Sequence, residues 1–549
     1  MKLKIGGKPI ALNVNVKISI ERSSPLLNED TGSFSYPFPV PASPNQQALG
    51  WPGRLQRSGN IADQSFILED SGLQIFCGEV SYDIVTKEQV GVILKSGQTL
   101  FKSIVDGKKL TDIDYGFESW LPVDYTSLQV RTKITAWDTA NTTNNGKYVA
   151  SPVKVNPARE DVPLFVNKID KMTGNLLYDP TFMHQNQLFM LQFRAYFILE
   201  KIFESSGYNI LTNELKTSEF SELIIFSRVI NIPMVFESPS PEIRYLHYSK
   251  LMPDISVLEF MDNIANLLCM VFDIDERNKT VRIIFKKNVF APGNVDPLKI
   301  VELAGWEHSE INMPGGFILS YKTQDDALDT YSDFPDFIDV VSSLPVPSIE
   351  NKIVLLGSTG LNYISISDGG VFAWKQVGRL REILIGNGST KVELSVKIPR
   401  AIDHPDGYLI PKLEISPIAE TINLEIIQKL NFESITELIV SLYHGRKDLN
   451  NVGIPYSSGD KLGIGTAISV EVPTYLTPLY LYENVYSDFL NWKAYRARSI
   501  TKYIQLTLPE VLSLRWDKVY VIDGIHIILD KINFELPHNG KVKINAFTV

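Results

Sequence analysis

The chain is short of cysteine: two in 549 residues, Cys77 and Cys269, far apart in sequence. That excludes a disulfide scaffold and any Cys-rich metal site. It holds seven histidines, His184, His247, His308, His404, His444, His526 and His538. No two are spaced as an HxH or HExxH zinc site requires. No stretch approaches the roughly 20 apolar residues of a membrane-spanning helix. The longest apolar stretches, 191–203 and 257–272, are broken by Arg194, Glu200, Glu259 and Asp262. Near the start, Gly6-Gly7 cuts off the apolar core that a secretory signal needs, so a soluble chain without an export signal or membrane anchor is expected. Positive charge is also scarce. Lys and Arg number 53 against 63 Asp and Glu, a net charge of −10. A general nucleic-acid binder or a basic membrane-surface protein is excluded on that balance. Walker, GxGxxG and GxSxG signatures are missing, and nothing singles out a catalytic carboxylate pair. The expectation is a protein that is not an enzyme and takes no cofactor and no metal.

What the sequence has is strand periodicity. Leu12, Val14, Val16, Ile18 and Ile20 alternate with polar residues, which predicts a half-buried antiparallel strand. Phe66–Glu69, a turn at Asp70-Ser71-Gly72, Leu73–Ile84 and then Val90–Leu94 read as a meander. Between these lies Tyr36-Pro-Phe-Pro-Val-Pro-Ala-Ser-Pro44, whose prolines cannot donate to a ladder. It is expected to be extended, stiff and outside any central strand.

Three helices stand out. Leu188, Leu191, Ala195, Ile198 and Ile202 recur at helical spacing and predict a helix over 188–205. Ser256-Val-Leu-Glu259 is a capping box that opens a second helix over 256–268. Each is followed by a strand, a weak helix–strand repeat. Tyr482, Val485, Tyr486, Phe489, Trp492 and Arg496 mark the third. In the closing strands the apolar phase slips from Ile525, Ile527 and Leu529 to Ile532, Phe534 and Leu536. A one-residue slip predicts a β-bulge.

The expected fold class is mainly β with α+β modules: small antiparallel β-barrels and helix–strand units. Five segments follow: a β-barrel-like domain over 1–105, an α+β module over 106–250, a second over 251–345, a β-rich domain or insertion over 346–480, and a C-terminal helix and meander over 481–549 that completes a barrel. Residues 301–350 hold ten acidic residues and one Lys, so nearly all the net charge sits there. Asp325, Asp326, Asp329 and Asp333 fit no calcium loop. Without local counter-ions they are expected to face water, on an outer surface or along a channel. Trp492, Lys493, Tyr495, Arg496, Arg498, Lys502 and Tyr503 mix basic and aromatic residues as a single-strand nucleic-acid site does. A helix with a buried aromatic face and a basic edge explains them more simply, given the negative overall charge.

Ser35-Tyr-Pro-Phe-Pro-Val-Pro-Ala-Ser-Pro-Asn45, Leu49-Gly-Trp-Pro-Gly-Arg-Leu55, Gly72-Leu-Gln-Ile-Phe-Cys-Gly78, Leu481–Tyr503 and Val519–Val549 resemble tail hub proteins of tailed phages and prophages of Bacteroidetes hosts. The likeness is scattered over most of the chain and rests on no catalytic motif. It implies a virion structural protein of the baseplate, made in the host cytoplasm and active in genome ejection. Such a hub is a homotrimeric ring below the tail tube. Its partners are further copies of itself, a tail tube or distal tail protein, and spike or fibre proteins, with DNA met only in passing through the channel. On this reading Pro37, Phe38, Pro39, Pro41, Trp492, Arg496 and Arg498 are expected at a subunit or tube interface, and Asp325, Asp326, Asp329 and Asp333 along the channel. The alternatives are a glycan-binding tail or surface protein, for which seven Trp and 23 Tyr permit stacking on sugars, and a tail-associated cell-wall hydrolase.

Overall fold

A computed structural model describes residues 1–27, 32–50, 64–119, 127–143, 146–155, 164–170, 172–177, 187–232, 245–291, 293–297, 435–449, 451–457, 476 and 478–549. Between 301 and 432 it describes 301–302, 307–309, 316–323, 352–356, 361–365, 371–376, 380–386, 390–403, 409–413, 417–418 and 431–432. The chain is mainly β, with helices grouped in α+β units.

The two ends of the chain build one 15-stranded sheet. The join is the antiparallel pairing of Ile18–Ser23 with Ile525–Leu536, with Ile20 opposite Phe534. On one side of it stand Gln64–Asp70, Leu73–Val85 and Gln89–Ser96; on the other stand Lys541–Thr548 and Ser499–Gln505. The N-terminal strands and the C-terminal meander, the latter expected to complete a barrel, are joined in a single sheet. Their buried faces share one apolar core that includes Leu3, Val92, Ile504, Ile532 and Ile544.

Bulges bend this sheet. One lies between Leu529 and Lys531, where the apolar phase of the sequence slips. Others fall at Leu68/Glu69 and Tyr82/Val85. Each leaves an extra residue unpaired and increases the local twist. The Asp523-Gly524 turn closes the Val519–Ile522 and Ile525–Leu536 hairpin with φ of 53° and 77°, the left-handed pair a tight hairpin demands. Gly78 is required by contact: a Cβ there would stand 2.0 Å from the Lys95 carbonyl oxygen.

Two expectations need correction. The strand begins at Ile18, not Leu12, and Val14 is fully exposed. Leu12 and Val16 still pack partly against the core, but the chain turns between them, with the Val16 N–H donating to the Asn13 carbonyl at 3.1 Å, and that turn carries Val14 outward. The first helix runs Ala195–Ser205. Residues before it form the strands Gln187–Phe189 and Gln192–Arg194, because Leu188 and Leu191 satisfy a fully buried strand as well as a helix face. The second helix, Val257–Leu267, starts where its cap predicts, with the Ser256 hydroxyl accepting the Glu259 N–H at 3.1 Å. The third helical stretch runs through 478–496.

The strands that follow the first two helices lie in one three-stranded sheet. Asn209–Asn213 runs parallel to Thr280–Phe285, which pairs antiparallel with Met270–Asp275. Elsewhere, strands from distant segments interleave. Val440–Leu449 pairs with Leu223–Ile225, and Leu409–Leu413 lies beside Val153–Val155. Gly316–Thr323 sits between Leu380–Gly386 and Thr390–Ile398 in a six-stranded sheet. No described helix is long and apolar enough to cross a membrane.

Candidate functional site

The proline segment is an edge strand. Phe38–Pro41 pairs antiparallel with Gln89–Ser96, Phe38 opposite Val92 and Val40 opposite Val90. Alternation then separates its side chains. Phe38 is 3% exposed and Val40 is fully buried, while Pro37 and Pro39 face solvent and Pro41 is half-buried. Phe38 was expected at an interface; it is a core residue, because period two turns it to the face that Val90, Val92 and Leu94 also cover. The prolines occupy the positions that an edge tolerates. They offer no N–H outward, so the edge is a poor template for a further strand.

Trp492 needs the same correction. It is 3% exposed, its Nε1 donates to the Thr548 carbonyl at 2.7 Å, and its ring packs on Phe290, Phe489 and Phe547. The aromatic part of the basic–aromatic stretch is thus internal to the chain. Lys502 is fully buried on an ion pair with Asp523. Tyr503 lies under Lys541, 4.6 Å from its ring centroid. Arg496 and Arg498 are exposed at the end of the helix and the start of the next strand. The structure therefore leaves Pro37, Pro39, Arg496 and Arg498 on the surface. Asp325, Asp326, Asp329 and Asp333 lie outside the described residues.

Among the described residues no three His, Cys, Asp or Glu side chains group as a metal site. A cavity of about 520 Å³ opens between the end of the Ser127–Ala140 helix and the Val440–Leu449 strand, lined by Asn141, Arg194, Glu219, Glu222, Tyr443 and His444, among others. Several of its polar groups are engaged within the fold, although the Arg194 Nε and Nη1 are buried without a partner. Arg194 donates to Glu222 at 2.8 Å, Tyr480 donates to Glu219 at 2.6 Å, and Tyr443 donates to the Asn141 carbonyl at 2.7 Å. Burial, aided by Lys447, pushes the His444 imidazole down to about 4, so it is neutral at neutral pH.

One surface feature escaped sequence reasoning. Phe117–Ser119 and Tyr245–His247 form a two-stranded antiparallel ribbon. Glu118 and Leu246 share its inner side, where Glu118 accepts the Trp137 indole N–H at 2.9 Å and binds Lys133 at 3.0 Å. The other side carries three rings. Phe117 meets Tyr245 edge-on at 4.9 Å and His247 at 5.5 Å. Phe117 is 57% and Tyr245 52% exposed. The ribbon's strands lie 126 residues apart, so no local pattern reveals it (Tyr245 opposite Ser119).

No family model matches the chain, and no curated protein matches it. Among solved structures it is similar to the 43 kDa tail protein of prophage MuSo2 from Shewanella oneidensis, at 9% identity and a TM-score of 0.32, over 100% of this chain and 97% of that one.

Proposed function

We propose that the chain is a structural subunit of a phage tail: a hub that forms a homotrimeric ring at the distal end of the tail tube, joins tube to spike or fibres, and leaves a channel for DNA. The observation that carries this reading is the proline-edged strand of the large sheet. It is held in its own core by Phe38 and Val40, yet it offers Pro37 and Pro39 outward on a stiff backbone. A preformed segment loses little entropy when a neighbour docks on it. A proline edge also blocks open-ended strand addition, so contact with the next subunit is made through side chains and can close into a ring. Arg496 and Arg498 offer a charged margin that an acidic neighbouring subunit would complement. The acidic run at Asp325, Asp326, Asp329 and Asp333 fits a lumen that must not retain phosphates.

The test is assembly in tailed particles. Pro37→Glu with Pro39→Glu alters exposed positions and leaves the fold intact, so the purified variant should unfold like the parent chain. Particles made with it should lack the ring and be non-infectious. Normal incorporation of the variant would overturn this interface.

A further inference from the structure

The outer side of the Phe117–Ser119 and Tyr245–His247 ribbon inverts the usual rule. A two-stranded ribbon resting one side on a core normally turns polar side chains to water. Here Phe117, Tyr245 and His247 are gathered on the solvent side in mutual contact, while the charged Glu118 is turned inward. The inner anchors hold the ribbon in place. Glu118 is bound by Trp137 and Lys133, and the Lys133 ammonium also donates to the Ser119 carbonyl at 2.8 Å. The Tyr248 N–H donates to the Gly116 carbonyl at 3.1 Å and continues the pairing past His247. The rings are therefore carried on a fixed backbone.

We propose that this face is a carbohydrate-binding site that takes the apolar face of a hexopyranose on one of the two rings, with the other ring, set at 76° to it, closing against the sugar's side. The edge-on arrangement leaves ring surface open to solvent rather than hidden in a sandwich. Sugar C–H groups carry partial positive charge and are drawn to the negative face of an aromatic ring, as cations are. The Tyr245 hydroxyl, the His247 ring nitrogens and the neighbouring Ser119 hydroxyl supply hydrogen-bonding atoms for the sugar's equatorial oxygens. Size separates this occupant from a protein. A specific protein interface buries about 800 Å² on each partner. The half-exposed Phe117 and Tyr245 offer on the order of 200 Å², at about 150–250 Å² for a whole aromatic side chain. That falls short of a protein contact and suits one or two sugar residues. The proposal is independent of the tail reading, since a site of this kind serves any protein that meets a glycan-covered surface.

The experiment is saturation-transfer difference NMR on the full chain with methyl β-D-glucopyranoside, methyl α-D-mannopyranoside and chitotriose as probes. Saturation should reach the ring C–H protons of at least one probe. Phe117→Ala with Tyr245→Ala should weaken that binding by about tenfold or more, while Tyr245→Phe, which keeps the ring, should retain most of it. Both variants change exposed positions, and an unchanged thermal transition would confirm that they fold. Absence of transfer to all three probes would overturn the proposal, as would undiminished transfer in the double variant. Sedimentation velocity of the parent chain covers the rival occupant. A concentration-dependent dimer that the double variant abolishes would assign the face to a second copy and overturn the sugar reading.

Discussion

Phe38→Ala separates the two roles of the proline strand. The Phe38 side chain is 3% exposed beside a fully buried Val40, and it pairs opposite Val92 on the sheet's inner face. A whole aromatic side chain buries about 200 Å², worth about 5 kcal/mol at about 25 cal/mol per Å². The Ala methyl and residual burial in the unfolded chain reduce this, so the expected loss is about 3–5 kcal/mol. For a cooperative unit of about 150–250 residues each kcal/mol moves the midpoint by about 2–4 °C, so the transition carrying the large sheet should fall by roughly 6–20 °C. Differential scanning calorimetry reads that shift. Pro39→Ala, one residue away on the solvent side, should leave stability within about 0.5 kcal/mol, as surface substitutions usually do. A Phe38→Ala shift under about 2 °C, or equal shifts for the two variants, would refute the argument that the strand belongs to its own core.

Two other outcomes follow from the charges. His444 is neutral in the fold down to about pH 4, whereas an unperturbed imidazole takes its proton near 6.5. Between those values the unfolded chain binds the extra proton, so stability falls as pH drops through that window. His444→Gln should flatten the fall in urea midpoint between pH 6.5 and 4, and an unchanged slope would show that the group does not titrate as described. Replacing Asp325, Asp326, Asp329 and Asp333 by Lys should leave particle assembly normal and impair DNA delivery, measured as infectious titre per assembled particle; a normal titre would rule out a channel-facing segment.

Local chemistry was legible where a turn or cap has a fixed pattern. The turn at Asp70-Ser71-Gly72, the Ser256 cap and the bulge between Leu529 and Lys531 stand where the sequence placed them. Each depends on residues a few positions apart. Long-range pairing was not legible. Nothing in residues 18–23 says that they meet 525–536, because backbone pairing carries no residue code and many strands present the same alternation. Helix and strand were confused at 187–194, where every described side chain is buried and periodicity loses its contrast. In the proline segment and the basic–aromatic stretch, composition does not give the direction of each side chain. Pro37 and Phe38 are neighbours with opposite fates, as are Trp492 and the exposed Arg496 one turn on. The aromatic ribbon joins Phe117 to Tyr245 and His247 across the fold, and only the pairing brings them together.

The most direct test of the central claim is a cryo-electron-microscopy reconstruction of tailed particles from the strain that encodes the chain, with this sequence fitted to the density. The account predicts three copies in a closed ring at the distal end of the tail tube, with Pro37 and Pro39 against a neighbouring subunit. Six-fold or asymmetric placement, a position elsewhere in the particle, or absence from the particle would contradict it.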